Sequence, residues 1–167
     1  MLDDKTKSEK LPQGRRYLRA AQWGFDTLIG GELSGTAFVF HLLGILAILR
    51  SVPIVILKSD RHLTPEHETV ISEWKAITGN WRAIPELAFL KRVRDLAIKE
   101  GALPAWAIGT EHGIGEGSNR TVRKTEYELV YYDDKKQRHD DLAARLRAAI
   151  DWCEREMAAI ERQLPTP

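Results

Sequence analysis

The stretch from Ala37 to Leu57, AFVFHLLGILAILRSVPIVIL, constrains the fold more than any other part of this 167-residue chain. It is nearly as long as the roughly 20 apolar residues that a bilayer-crossing helix requires. A membrane span would have to accommodate His41, Arg50 and Pro53. A central Arg costs about 2.5–3.5 kcal/mol on insertion scales, and Pro53 leaves a carbonyl without its donor where no water can replace it. Helices that are apolar all round also occupy globular cores. The three interruptions favour that outcome: a buried central helix wrapped by its neighbours, with no membrane partner expected.

The remaining composition is that of a water-soluble domain. With 43% hydrophobic and 29% charged residues, a chain of this length buries about two thirds of its unfolded surface around one core. Twenty-five basic residues against 24 acidic ones give a formal charge of +1. That excludes a general excess of positive charge for coating a polyphosphate, while leaving room for a local basic patch. Cys153 is the only cysteine, so no internal disulfide or thiolate-rich zinc site exists, and a reducing, cytoplasmic setting is expected. The opening MLDDKTKSEKLPQGRR mixes both signs with no apolar core of the kind a secretory signal needs. Residues 1–14 are expected to form a mobile lead, and 15–164 a single helical domain.

Periodicity predicts five helices. Leu18, Ala21, Phe25, Leu28 and Ile29 recur at helical spacing from Arg15 to Ile29, with Trp23 and Asp26 off the stripe. GGELSG breaks that pattern, Ser34 or Thr36 is available as a cap for the apolar second helix, and Pro53 is expected to kink or end it. In LTPEHE, Thr64 suits the N-cap, Pro65 the first helical position, and Glu66 and Glu68 the positive end of the dipole. Gly79 closes this third helix, and a fourth runs from about Ile84 to Glu100. The last spans about Lys136 to Leu164, with Leu142, Leu146, Ala149, Cys153, Met157, Ile160 and Leu164 forming a seam that can pack on the bundle or on a second copy. Between the fourth and last helices the period changes. AWAIGT and TVRKTEYELVYY are rich in β-branched and aromatic residues, which predicts a hairpin over about 104–132. The fold class is therefore mainly α: a five-helix bundle with a β-hairpin inserted before the long C-terminal helix.

Gly113, Gly115 and Gly117 alternate in EHGIGEGSN and raise the question of a phosphate cradle. Such a cradle needs glycines after a strand and directly before a helix, whose free amides meet the anion. Here a strand follows, so the glycines read as a hairpin tip. Arg120, Arg123 and Lys124 follow closely and keep an anion nest as the alternative. On the fourth helix Arg94 falls within the apolar arc of Leu87, Leu90 and Val93. An inward Arg needs a partner, with Asp26 or Glu32 as candidates; a polar cleft in which Arg94 and His41 meet an anion is the other reading. His41 alone on an apolar helix reads first as a hydrogen-bonded core residue. His62, Glu66 and His67 near Asp60 lack an i, i+4 histidine pair, so neither a metal site nor a cofactor is expected.

RHLTPEH, with Arg61 followed by a polar residue and then by His67, is similar to the RxxxxxH-type signature of the HEPN superfamily. These are helical bundles, and many are metal-independent ribonucleases that work as dimers. The resemblance covers seven residues. It implies that Arg61 stabilises phosphate charge and His67 acts on the ribose hydroxyl or leaving oxygen, with His62 as the polar neighbour. The order of helices also looks like that of small uncharacterised bacterial helical proteins. Two functional readings result. The first is a non-catalytic module that associates with itself, as a homodimer through the C-terminal helix, or with another protein. Trp23, Trp74, Trp81, Trp106 and Trp152 supply aromatic surface for it, Trp23 and Trp152 foremost. The alternative is a HEPN-like ribonuclease or nucleotide-binding protein, whose partner is RNA or a nucleotide.

Overall fold

The apolar stretch folds as one helix, α2 (Gly35–Lys58), in the computed structural model, which describes residues 9–30, 33, 35–79, 84–100, 105–114, 121–132, 135–139 and 141–165. Its inner row, Phe38, Leu42, Ile45, Leu46, Leu49, Val52, Pro53 and Ile56, is buried at the centre of a single hydrophobic core. The helix does not end at Pro53, one of the two outcomes expected there. A proline inside a helix costs about 3 kcal/mol, whereas each large aliphatic side chain withdrawn from water returns about 1.5–3 kcal/mol. Burial of Val52 and Ile56 on either side of Pro53 offsets the loss.

Helix α1 (Pro12–Ile29) lies along α2 and buries Leu18, Ala21, Phe25 and Leu28. The two helices come close at Gly24, where a Cβ would stand 2.9 Å from Ile45 Cγ1, and at Gly14, where it would stand 2.9 Å from Ile56 Cγ1. This helix begins three residues before the predicted start, and Leu11 ahead of it is fully buried. The part of the expected mobile lead that is described, residues 9–14, thus belongs to the fold. Pro12 suits the first turn because it has no amide to leave unpaired, and Leu11 anchors the chain in the core.

After α2 comes one 3-10 turn, Asp60–His62, and then α3 (Pro65–Thr78). Thr64 caps α3 by accepting from the His67 amide, and Gly79 ends it at φ +61, a conformation that favours glycine. Helix α4 (Pro85–Glu100) contributes Leu87, Phe89, Leu90 and Val93 to the core. Strands β1 (Ala105–Ile114) and β2 (Thr121–Tyr132) pair antiparallel from Ala105↔Tyr131 to Ile114↔Thr121. The stretch 115–120, which carries Gly115, Gly117 and Arg120, joins them and lies outside the described residues.

The final helix differs from expectation at its start. Residues 138–139 form a short third strand, β3 (Arg138–His139), on the free edge of β2, and α5 spans Leu142–Gln163. Pairing with Tyr131 and Tyr132, together with stacking of His139 on Tyr131 at 4.8 Å, competes there with helix formation. The α5 seam, Leu142, Leu146, Ala149, Cys153, Met157, Ile160 and Leu164, is wholly buried in the chain's own core. Burial pushes the Cys153 thiol up to about 12, and Glu156 and Glu154 add to the effect.

Candidate functional site

Helix α2 is covered on one side only. At 100° per residue, Phe40, Gly44, Ala47, Ser51 and Ile54 fall in one arc opposite the buried row. Phe40 is 69% exposed, Ala47 is exposed, and Gly44, Ser51 and Ile54 are half-buried. A Cβ added at Gly44 would meet nothing within 4 Å. By length and composition Gly35–His62 could cross a membrane, with mean hydropathy 2.2 and 39% of its most apolar window buried. The wrapped central helix expected from the sequence is therefore a core helix with an apolar outer face.

Trp23 of α1 borders this face. It is 68% exposed, and its ring centroid lies 5.9 Å from that of His41. The hydroxyls beside these residues are turned inward on their own helices: Ser51 Oγ donates to the Ala47 carbonyl at 2.8 Å and Thr27 Oγ1 to the Trp23 carbonyl at 2.9 Å. The face thus offers aromatic and small apolar groups with its hydroxyl donors already used. Arg50, the one charged residue between Thr36 and Val55, lies about 80° round the helix from Phe40. Large aromatic side chains left in water at the edge of an uncharged helix face are the usual anchors of a protein contact.

A second constellation gathers where α1, the 3-10 turn and α3 meet. Asp60 is completely buried, and its two carboxylate oxygens accept from the Gln13 amide at 3.1 Å and the Gly14 amide at 2.7 Å. Leu11, at the N-cap, provides no side-chain oxygen, so Asp60 caps α1 from 46 residues away in sequence. Burial pushes its carboxyl above the usual carboxylate range, while the two amides and nearby His67 pull it down. Gly14 is required there, because a Cβ would stand 2.9 Å from Ile56 Cγ1 and 3.1 Å from Asp60 Oδ2.

The residues with predicted roles are occupied or dispersed. His67 Nε2 donates to the Lys10 carbonyl at 2.8 Å, and Nδ1 lies 2.9 Å from Thr64 Oγ1. Arg61 Nη2 bonds Glu68 at 3.0 Å, its Nε is buried with no partner among the described residues, and neighbouring Asp60 is turned toward α1. His62 is exposed on the 3-10 turn. His41 Nε2 is buried with no partner among the described residues, so the hydrogen-bonded core histidine expected there is not formed. Arg94 is 34% exposed and bonds its neighbour Asp95 at 2.6 Å. Of its two expected partners, Asp26 instead lies 3.7 Å from Arg147, and Glu32 lies outside the described residues. Lys124 pairs with His112 across the hairpin, and Arg123 is skipped at a register shift beside Gly113. Arg120 falls outside the described residues. Of the two tryptophans put foremost, Trp23 is exposed, whereas Trp152 is 7% exposed and in the core.

Some of the remaining charges are paired between α5 and the start of the chain. Arg15 bridges Glu154 and Glu161, and Arg19 meets Glu9. Lys10 Nζ donates to the carbonyls of Glu161 and Leu164 at 2.8 and 2.6 Å, matching positive charge to the end of α5. A shallow cleft between Lys10, Arg15, Glu161 and Arg162 is thus lined largely by groups that already hold one another. Among the described residues no three His, Cys, Asp or Glu side chains gather as a metal ion would need. Comparisons with protein-family profiles, curated proteins and solved structures return no match to this chain.

Proposed function

We propose that this chain is a self-associating or protein-binding helical module whose contact surface is the outer face of α1 and α2. The observation that carries this reading is the exposure of Trp23 and Phe40, at 68% and 69%, beside an α2 face whose central positions are small and uncharged. Water contact on two large aromatic side chains is costly at about 25 cal/mol per Å² of apolar surface, and a partner removes that cost. In this reading the C-terminal seam is not the contact surface, since its side chains are buried in the chain's own core. A ribonucleolytic role for Arg61 and His67 would require both to leave their present partners, and it is the weaker proposal.

Solution mass across a dilution series tests the reading in its self-associating form. The wild type is expected to pass from a larger species to a monomer on dilution, and Trp23→Asp to remain monomeric at concentrations where the wild type associates. A wild type that stays monomeric at high concentration contradicts self-association. For the alternative, RNA cleavage lost in a folded His67→Ala variant would revive it.

A further inference from the structure

We propose that His67 is a proton-operated latch: with both ring nitrogens protonated it ties the strap of residues 9–11 to the start of α3, and loss of one ring proton loosens that strap. The latch is independent of the α1/α2 contact surface. It rests on the donors and acceptors where the strap, the 3-10 turn and α3 meet.

The Lys10 carbonyl can only accept, so the His67 Nε2 that stands 2.8 Å from it carries a proton. Nδ1 stands 2.9 Å from Thr64 Oγ1, and a hydroxyl has one proton and two lone pairs. That proton goes to Glu66 Oε2 at 2.7 Å. The bond from Thr64 is the main reason that the Glu66 carboxyl lies below the usual carboxylate range, so Glu66 is ionised near neutral pH and only accepts. The two lone pairs of Thr64 Oγ1 are then left for two donors, the His67 amide at 3.4 Å and Nδ1. All of these bonds form together only when both ring nitrogens bear protons. A neutral ring has a single N–H. It must either give up the Lys10 carbonyl or draw the Thr64 proton away from Glu66.

The surrounding charges favour the protonated ring. Asp60, raised by burial, is pulled down by its two amides and by His67; Glu66, lowered first by Thr64, is lowered further by His67. Neither carboxylate has a cation bonded to it among the described residues, because Asp60 is held by amides and Glu66 by a hydroxyl. The cations nearby have other partners. Arg61 meets Glu68, the Lys10 ammonium meets the last carbonyls of α5, and Arg15 of α1 meets Glu154 and Glu161. Lys58, at the end of α2, and His62 are exposed.

The strap carries the effect onward. Lys10 joins α3 through its carbonyl and α5 through its ammonium, Leu11 is fully buried, and Gln13 and Gly14 follow on Asp60. The bonds that need the second ring proton exist only in the folded chain. Their contribution is therefore present at acid pH and declines as pH rises through the range in which imidazole loses its proton.

Nitrogen-15 NMR of the histidine rings in the full-length wild type, with urea unfolding from pH 5 to pH 8, tests the latch. His67 is expected to keep its second ring proton to higher pH than exposed His62. The folded-to-unfolded ratio of the wild type, taken relative to His67→Gln, is expected to fall about two- to tenfold over that range, the contribution of one hydrogen bond. His67→Gln keeps one donor and does not titrate. Glu66→Ala frees the Thr64 proton for Nδ1, so a neutral ring satisfies both contacts and the pH dependence should vanish. A His67 ring that loses its proton together with His62 or before it overturns the latch, as does a wild-type to His67→Gln difference that is flat with pH. A pH dependence that persists in full in Glu66→Ala assigns it to Asp60 and overturns the latch as well.

Discussion

Replacing Asp60 tests how the start of α1 is held. In Asp60→Ala two amides, the half-buried one of Gln13 and the buried one of Gly14, lose their acceptors. Each orphaned buried donor costs about 1–3 kcal/mol, so the variant is expected to lose about 2–5 kcal/mol, a large part of the about 5–15 kcal/mol that holds a typical domain folded. Asp60→Asn keeps one acceptor oxygen and is expected to lose about half as much. Urea unfolding followed by circular dichroism reads the difference directly; at an m value of about 2 kcal/mol/M, the alanine variant should unfold at a midpoint about 1–2.5 M lower. The pH dependence supplies a sign. Because the folded Asp60 carboxyl is raised, the folded state holds its proton more tightly than the unfolded chain does. Its contribution is fully present below the unfolded carboxylate value and declines as pH rises through the raised folded value. The stability difference between wild type and Asp60→Asn should therefore shrink as pH rises through that window. An alanine variant within 0.5 kcal/mol of wild type, roughly the scatter of neutral surface changes, or a difference that grows with pH, would refute the reasoning.

Other outcomes follow from the same packing. Cys153, with its thiol pushed up to about 12, should resist an aromatic disulfide reagent in the native protein and react promptly in urea; prompt native reaction would mean that the α5 seam is open. Gly24→Val should cost about 1–3 kcal/mol by overpacking against Ile45, read as a lower melting temperature, and an unchanged melting temperature would place α1 farther from α2. Arg15→Met should cost about 1–2 kcal/mol by leaving half-buried Glu161 without its cation; equal stability in urea would show that the pairing contributes nothing.

Local signals in the sequence were read correctly and long-range partners were not. Thr64, Pro65 and Gly79 mark the ends of α3 because capping chemistry is settled within four residues, and the other helices and the hairpin are legible from apolar period, breaker residues and β-branched and aromatic content. Pro53 does not end α2 because its local cost is outweighed by tertiary burial. Asp60 stands in the sequence only as a neighbour of His62, Glu66 and His67, whereas its partners are amides 46 and 47 residues away. The one available clue was the lack of a capping side chain before Pro12. The Arg94 partner and the short strand at Arg138–His139 depend likewise on what packs nearby. The α5 seam was legible as a seam, but periodicity does not say whether its mate lies in the same chain.

The most direct test of the account is covalent footprinting of the α2 outer face across a concentration series in detergent-free buffer. Phe40 and Trp23 should label strongly at high dilution and become protected as concentration rises, while Ile77 labels equally throughout. Labelling of Phe40 and Trp23 that is independent of concentration, or labelling of inner-row residues such as Leu42 and Leu49 at any concentration, would contradict it.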